Sequence, residues 1–289
     1  MNELKNIEAL IHLIDDPDTE IYQHVRDRLM QYGPEAIPYL ENSWGEKDYG
    51  LIFLTRVEQL IHDIQFEYTK QQLIRWKNNG KDLLEGALIV ASYQYPGLEF
   101  EHVREFVQHV RKAIWLELNP RMTSLEKTKV FNTVFYDQFG FKGDSKNFHS
   151  PLNSFINTVI EGRKGNPLSL SILYSVIAQS LDLPIYGVNL PNHFILAYMD
   201  EDGINQFFNQ SNKSGVLYYI NAFSKGTLLD EKELIQFIQQ LNLEVKREYL
   251  EPCSNTTIIK RMITNLISSF QQAGNSEKTK ELKELWNLL

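Results

Sequence analysis

One stretch, residues 165–194, constrains the fold of this chain more than any other part of the sequence. Asn166 can cap the first free amides of a helix with its side-chain oxygen, and Pro167 follows at a position where its missing N–H costs nothing. Apolar residues then recur at helical spacing until Leu181, where an Asp-Leu-Pro sequence ends the pattern. The sequence therefore predicts a helix over residues 166–181.

Short β-forming runs follow this helix. Residues 185–190 and 193–199 are rich in β-branched, aromatic and apolar side chains, and a Pro-Asn pair separates them. Two further strands are predicted at residues 206–208 and 216–220, on either side of the polar loop 209–215. We expect these strands to form a small antiparallel sheet that packs on the preceding helix.

The rest of the chain has helical periodicity. Apolar stripes predict helices in both flanks of the sheet, and the third N-terminal stripe extends from Ala36 to Trp44. The fold class is therefore predicted as α+β, with a mostly helical N-terminal half, a small antiparallel sheet on a central helix and a C-terminal helical hairpin. The further predicted helices cover residues 51–64, 68–76, 83–93, 100–118, 125–139, 228–241, 255–270 and 277–288.

Charge and cysteine content exclude several classes of protein. A net charge of −8 argues against nucleic acid, whose phosphates require a basic surface, and against anionic membrane surfaces. Cys253 is the one cysteine of the sequence, so an internal disulfide framework is excluded. We expect a cytoplasmic protein without a membrane or nucleic-acid partner, and we interpret Cys253 as structural or incidental.

Two short segments resemble a known family. Residues 163–171 (RKGNPLSLS) and 187–194 (GVNLPNHF) resemble the SirB-type branch of the transglutaminase-like superfamily, and residues 141–165 also match its pattern. The resemblance implies a transglutaminase/papain-like core. In that core a Cys at a helix start, a His on one strand and an Asp or Asn on the next strand form the catalytic site.

The same resemblance indicates which residues occupy the three catalytic positions. His193 takes the position of the histidine, and Asn221 takes that of the orienting residue, where the family has Asp-Pro-Phe. The nucleophilic cysteine falls at Pro167 or Leu168, and neither side chain is a nucleophile. Ser169 lies close by, but a hydroxyl is a far weaker nucleophile than a thiolate. We interpret it as structural, satisfying a free amide or packing.

Other residues match the family motif and are candidates for the binding cleft. Arg163 could hold its loop by bonding carbonyls or a carboxylate. A structural role is the simpler interpretation for Asn153 and Tyr174. The full set of candidate cleft residues is Arg163, Asn166, Pro167, Leu168, Ser171, Asn192, Asn153 and Tyr174.

The flanks resemble helical-repeat units. Residues 16–21 (DPDTEI) and 32–40 (YGPEAIPYL) resemble one copy of a HEAT repeat, and the C-terminal hairpin resembles a tetratricopeptide-like unit. A single repeat unit usually packs on its own domain. We therefore expect four regions: a HEAT-like region 1–80, a helical segment 81–140 packed on the core, a transglutaminase-like core 141–245 and a tetratricopeptide-like hairpin 246–289.

Three functions remain open from the sequence. The first is a non-catalytic module that recognises a protein or small ligand through the former cleft. The second is an acyl-transfer or hydrolytic enzyme that uses Ser169 or Ser171 with His193 and Asn221. The third is a helical-repeat scaffold that binds through its HEAT-like pair. No cofactor is expected, and no metal, because His149 and His193 lack further residues at ligand spacing.

Overall fold

The computed structural model describes residues 2–43, 49–200 and 215–289, with side chains from residue 6 onwards. Trp44, the predicted strand 206–208 and most of the loop after it lie outside these residues. The chain divides into two compact units, Met1–Arg75 with Ser92–Pro96, and Trp76–Ala91 with Gly97–Leu289. In the part that is described, no helix is both long and apolar enough to cross a membrane.

The first unit is helical. Asp18 caps its second helix by accepting a hydrogen bond from the amide of Glu20 at 2.8 Å, and Ile14, Leu29 and Leu40 are fully buried in its core. Its helices are α1 (Asn2–Ile11), α2 (Thr19–Tyr32), α3 (Ile37–Ser43) and α4 (Leu51–Asn78), of which the last residues of α4 belong to the second unit.

Helix α4 corrects one prediction. The sequence suggested two helices, over residues 51–64 and 68–76, and the structure has a single helix there. Residues 65–67 are Gln, Phe and Glu, which include no glycine, proline or capping side chain that could end a helix. A weakening of the apolar stripe alone therefore does not interrupt α4.

The second unit contains the remaining helices and both sheets. A short π-helical segment, Thr133–Gln138, continues α7, and residues 156–162 form a helix that the sequence pattern did not predict. The helices are α5 (Leu83–Ser92), α6 (Phe100–Glu117), α7 (Ser124–Asn132), α8 (Ile156–Gly162), α9 (Pro167–Gln179), α10 (Glu231–Gln240), α11 (Asn255–Gln272) and α12 (Ser276–Leu288).

The predicted antiparallel sheet is confirmed, and the described residues contribute four strands to it, in the order β3-β4-β5-β6. Leu190 pairs with His193, so that Pro191 and Asn192 form the two-residue turn between β3 and β4. Asn192 has a φ of 58°, a left-handed conformation that asparagine tolerates. The strands are β3 (Ile185–Leu190), β4 (His193–Met199), β5 (Val216–Asn221) and β6 (Thr227–Leu229), and β1 (Lys142–Gly143) and β2 (Lys164–Gly165) form a separate parallel pair.

Strand β6 corrects a second prediction. The sequence suggested that a helix begins at residue 228, but residues 227–229 pair with β5 and the helix begins at Glu231. Asp230 sets that start because its side chain accepts a hydrogen bond from the Glu233 amide at 2.8 Å, while the Glu233 carboxylate accepts one from the Asp230 amide.

The sheet is covered by helices. Ile195 and Ala197 of β4 belong to a buried cluster with Leu234 and Ile238 of α10. Helix α9 packs against β3 and β4, as the sequence predicts for the central helix. Because side chains alternate along a strand, the even-numbered residues of β4 point to the face opposite α10.

The C-terminal hairpin lies close to this opposite face. A Cβ on Gly187 would lie 2.6 Å from Phe194 Cζ and 2.9 Å from Ile258 Cδ1, so β3 needs glycine where these two side chains meet. Helices α11 and α12 form the predicted C-terminal helix pair. The mostly helical α+β fold class is confirmed.

Candidate functional site

The start of α9 is built as a capping box. Asn166 Oδ1 accepts a hydrogen bond from the Ser169 amide at 2.9 Å, and Ser169 Oγ accepts one from the Asn166 amide at 3.1 Å. Pro167 occupies the first helical position. The prediction that Asn166 caps this helix is confirmed, and the reciprocal bonds satisfy amides that would otherwise be unpaired.

Further hydrogen bonds tie this cap to the short 3-10 helix Pro151–Asn153 and the residue after it. Ser169 Oγ donates to the carbonyl oxygen of Asn153 at 2.6 Å, and Asn166 Nδ2 donates to Ser154 Oγ at 2.9 Å. All four residues are buried. The hydroxyl of Ser169 therefore acts both as donor and as acceptor within a buried network of hydrogen bonds.

A cavity of about 370 Å³ opens where α9 begins. Three parts of the second unit enclose it: the start of α9 with the loop before α8, the turn between β3 and β4, and one face of α11. The residues that line it are Phe148, His149, Asn166, Pro167, Leu168, Asn192, His193, Phe194, Arg261, Asn265 and Ser268.

His193 and the start of α9 line the same cavity. Its imidazole Nδ1 is 3.1 Å from the carbonyl oxygen of Asn192, and its ring centroid is 4.9 Å from that of Phe237 on α10. By strand alternation His193 shares its face of the sheet with Ile195, on the side of α10. The ring thus lines the cavity and also lies against Phe237 of α10.

Asn221 has a different environment. Its Oδ1 accepts hydrogen bonds from the amides of Phe223 at 3.1 Å and Ser224 at 3.2 Å, which caps the 3-10 helix after β5. Asn221 does not line the cavity. Within the described ranges, no hydrogen bond joins its side chain to His193, so the bond that would orient a catalytic imidazole is not formed.

The two candidate serine nucleophiles do not line the cavity. Ser169 is only 1% exposed and donates its proton to the Asn153 carbonyl, as described above. Ser171 is fully buried, and its hydroxyl has no hydrogen-bond partner in the part of the chain that the structure describes. Neither hydroxyl is placed to attack a ligand in the cavity.

The contacts of the Arg163 side chain differ from those predicted. The sequence suggested that its guanidinium bonds carbonyls or a carboxylate, but it lies 4.1 Å from the ring centroid of Phe106 and 5.2 Å from that of Phe141. Its Nη1 is buried without a partner among the described residues, and burial lowers the pKa of the guanidinium. Arg163 therefore packs on aromatic rings and does not line the cavity.

Asn153 and Tyr174 also lie outside the cavity. Asn153 Nδ2 donates to the Asn147 carbonyl oxygen at 2.7 Å, and the Tyr174 hydroxyl donates to Asn132 Oδ1 at 2.9 Å. Tyr174 is fully buried, which raises the pKa of its phenol well above the ordinary value. Both residues hold the surroundings of α9 in place.

Helix α11 supplies three cavity residues that the sequence analysis missed. Arg261, Asn265 and Ser268 follow one another at spacings of four and three, so they share one face of the helix. A polar row on a helix that otherwise buries apolar side chains was the available signal. It could not be assigned to the site, because nothing local indicates that α11 returns to the start of α9.

Arg261 is the cation of the cavity. Its Nη1 donates to Asn189 Oδ1 at 3.3 Å and to the Leu190 carbonyl oxygen at 3.4 Å, both long bonds to neutral acceptors. Burial lowers the pKa of the guanidinium. Among the residues described by the structure, Arg261 forms no ion pair.

Cys253 lies away from the cavity. Its amide donates to the Gly187 carbonyl oxygen at 2.8 Å. Burial raises the pKa of its thiol to about 12, so that the thiolate is scarce at neutral pH. The thiol is therefore a weak nucleophile at neutral pH in the folded protein.

Comparison with known proteins identifies the family of this chain. The family model described as "Transglutaminase-like superfamily" matches residues 101–264, more than half of the chain, and therefore includes α6 and α7 as well as the sheet. No solved structure matches the chain.

Curated relatives come from bacteria and from animals. A "UPF0162 protein" from Xylella fastidiosa (strain 9a5c) is 28% identical over 202 residues, which cover 68% of this chain and 67% of the relative. One from Vibrio cholerae is 26% identical over 191 residues, covering 65% of this chain and 66% of the relative.

"F-box only protein 21" from Homo sapiens is 31% identical over 159 residues, which cover 54% of this chain. The chain thus spans about two thirds of the length of these bacterial relatives and 24% of the human one. The family match includes α9, the four-stranded sheet and the first part of α11. This chain belongs to the transglutaminase-like superfamily.

Proposed function

We propose that this protein is a non-catalytic transglutaminase-like module that binds a protein segment or small ligand reversibly in the cavity at the start of α9. The observation that carries the proposal is the chemistry of the helix start. Pro167 and Leu168 stand where the family resemblance places the nucleophilic cysteine, and both line the cavity with apolar atoms. A helix start without a nucleophile can contact a ligand but cannot form an acyl-enzyme.

The environments of the other candidate residues support the same proposal. Ser169 holds the capping box together, Ser171 is enclosed in the core, and Asn221 caps a 3-10 helix. A serine nucleophile needs a base within hydrogen-bond reach, and that base needs an orienting partner. None of these contacts occurs for Ser169 or Ser171 among the described residues, so the alternative of an acyl-transfer enzyme that uses either serine has no support in the geometry.

The test is labelling with a fluorophosphonate, which forms a covalent bond with an activated serine. We expect no adduct on the folded protein after prolonged incubation, as measured by intact-protein mass spectrometry. The matched controls are Ser169→Ala and Ser171→Ala, which should behave like the wild type. Time-dependent labelling that either substitution abolishes would overturn the proposal in favour of the serine enzyme.

We also propose the finer assignments suggested by the sequence. The SirB-type branch is supported by the motifs at residues 163–171 and 187–194, which build the start of α9 and the β3–β4 hairpin. The HEAT-like region 1–80 is supported by the pair α2 and α3, and the tetratricopeptide-like hairpin 246–289 by the pair α11 and α12.

The remaining proposals concern the division of residues 81–245 and the cellular location of the protein. A helical segment 81–140 and a core 141–245 are the divisions that we propose between these flanks. The presence of a single, partly buried cysteine supports a reducing, cytoplasmic environment.

A further inference from the structure

We propose that the cavity binds a carboxylate carried on an apolar body, with Arg261 as the charged anchor. This inference rests on the proposed binding function and names the class of ligand for the same site. It follows from the charges, the hydrogen bonds and the shape of the cavity.

The charge of the cavity differs from that of the chain. The protein has a net charge of −8, yet no Asp or Glu is found among the described residues that line the cavity. The ionisable side chains of this described lining are Arg261, His149 and His193, all of which are neutral or positive. A concave site with only basic ionisable groups attracts anions, even on an acidic protein.

Arg261 has unused donors. Both of its hydrogen bonds come from Nη1 and go to neutral oxygens, at 3.3 and 3.4 Å. In the described portion of the chain, Nε and Nη2 donate to no protein acceptor, and no carboxylate pairs with the guanidinium. A cation that is partly removed from water favours an anionic partner, and the guanidinium fork matches two carboxylate oxygens at once.

The remaining lining fits the rest of such a ligand. Leu168, Phe148 and Phe194 supply apolar surface, while Asn265 and Ser268 lie beside Arg261 on the same face of α11. The volume of about 370 Å³ falls within the range of small-molecule sites. A single arginine suits a carboxylate with one negative charge better than a phosphate dianion, which a cluster of cations usually binds.

Two carboxylates test the inference and distinguish the source of the ligand. 3-Phenylpropionate represents a small organic acid, and N-acetyl-phenylalanine represents the C-terminus of a peptide; their primary amides are the neutral controls. We expect isothermal titration calorimetry to show each acid binding about tenfold or more tightly than its amide. The acid that binds more tightly then indicates the source.

Substitutions locate the binding. Arg261→Gln should weaken acid binding about tenfold or more, and Arg261→Lys should have a smaller effect because it keeps the charge without the fork. Arg121→Gln is the matched control, since Arg121 is exposed and outside the cavity, and it should bind like the wild type. Circular dichroism spectra of all variants check that the fold is intact.

Several results would overturn the inference. One is that the acids and their amides bind with equal affinity. Another is that acid binding is unchanged in a folded Arg261→Gln variant, and a third is that no acid binds at concentrations up to about 10 mM. If the amides bind in the cavity as well as the acids, the charged anchor is wrong while the proposed binding function stands. Labelling by a fluorophosphonate would instead refute the non-catalytic function without bearing on the charge of the ligand.

Discussion

Replacing Asn166 with Ala tests whether the start of α9 is a structural cap. Asn166 is only 5% exposed, and both the oxygen and the nitrogen of its side-chain amide form hydrogen bonds. Oδ1 accepts from the Ser169 amide, and Nδ2 donates to Ser154 Oγ, each at 2.9 Å. The substitution removes both bonds and leaves two buried groups, an N–H and a hydroxyl, without these partners.

The magnitude follows from these two bonds. Loss of an N-cap side chain costs about 1 kcal/mol, and loss of a further buried hydrogen bond costs about 1 kcal/mol. We therefore expect Asn166→Ala to lower the free energy of unfolding by about 2 kcal/mol. The sequence alone, which indicates the cap but not the bond to Ser154, predicts about half of this.

Asn275→Ala is the matched control. Asn275 caps α12 by accepting a hydrogen bond from the Lys278 amide at 3.0 Å, and it is less deeply buried. This variant should lose about 1 kcal/mol. Equilibrium urea unfolding, followed by far-UV circular dichroism, gives both values. A loss for Asn166→Ala no greater than that of the control would refute the argument from two bonds.

Three further predictions concern residues near the site. Gly165→Ala places a Cβ 2.6 Å from Ser169 Oγ and should cost about 1–3 kcal/mol in urea unfolding, whereas Gly162→Ala meets nothing within 4 Å and should cost nothing. Equal stability of the two variants would contradict this. Ser171→Ala removes a buried, unpartnered hydroxyl and should raise the free energy of unfolding by about 1 kcal/mol; a loss of stability would show that the hydroxyl has a partner. Cys253 should react with iodoacetamide slowly at about pH 8 and rapidly in denaturant, because burial raises its pKa to about 12. Rapid alkylation of the folded protein would refute this.

Local sequence patterns were enough to predict the centre of the fold. The Asn-Pro start of α9 and the Pro-Asn turn before His193 depend on near neighbours, and the structure forms both where they are predicted. Strands 185–190 and 193–199 begin and end as predicted, because alternation and turn residues limit their length.

The lining of the cavity could not be predicted in the same way. Arg261 bonds Asn189 across 72 positions of the sequence, and no local pattern records such a contact. The contact between His193 and Phe237 is likewise a long-range contact, because Phe237 belongs to a helix much later in the chain. The motif identified the residues of the helix start and the turn, but only tertiary packing determines which side chains face the cavity.

The central claim, that the cavity at the start of α9 is a reversible binding site, is tested most directly by nuclear magnetic resonance. The ¹⁵N-labelled protein is titrated with a fragment mixture that contains both acids and neutral amides, and amide shifts are mapped onto the sequence. We expect the shifts to concentrate at Leu168, His193, Phe194 and Ser268, and to reverse on dialysis. Shifts that concentrate elsewhere, or a titration without shifts, would contradict the account.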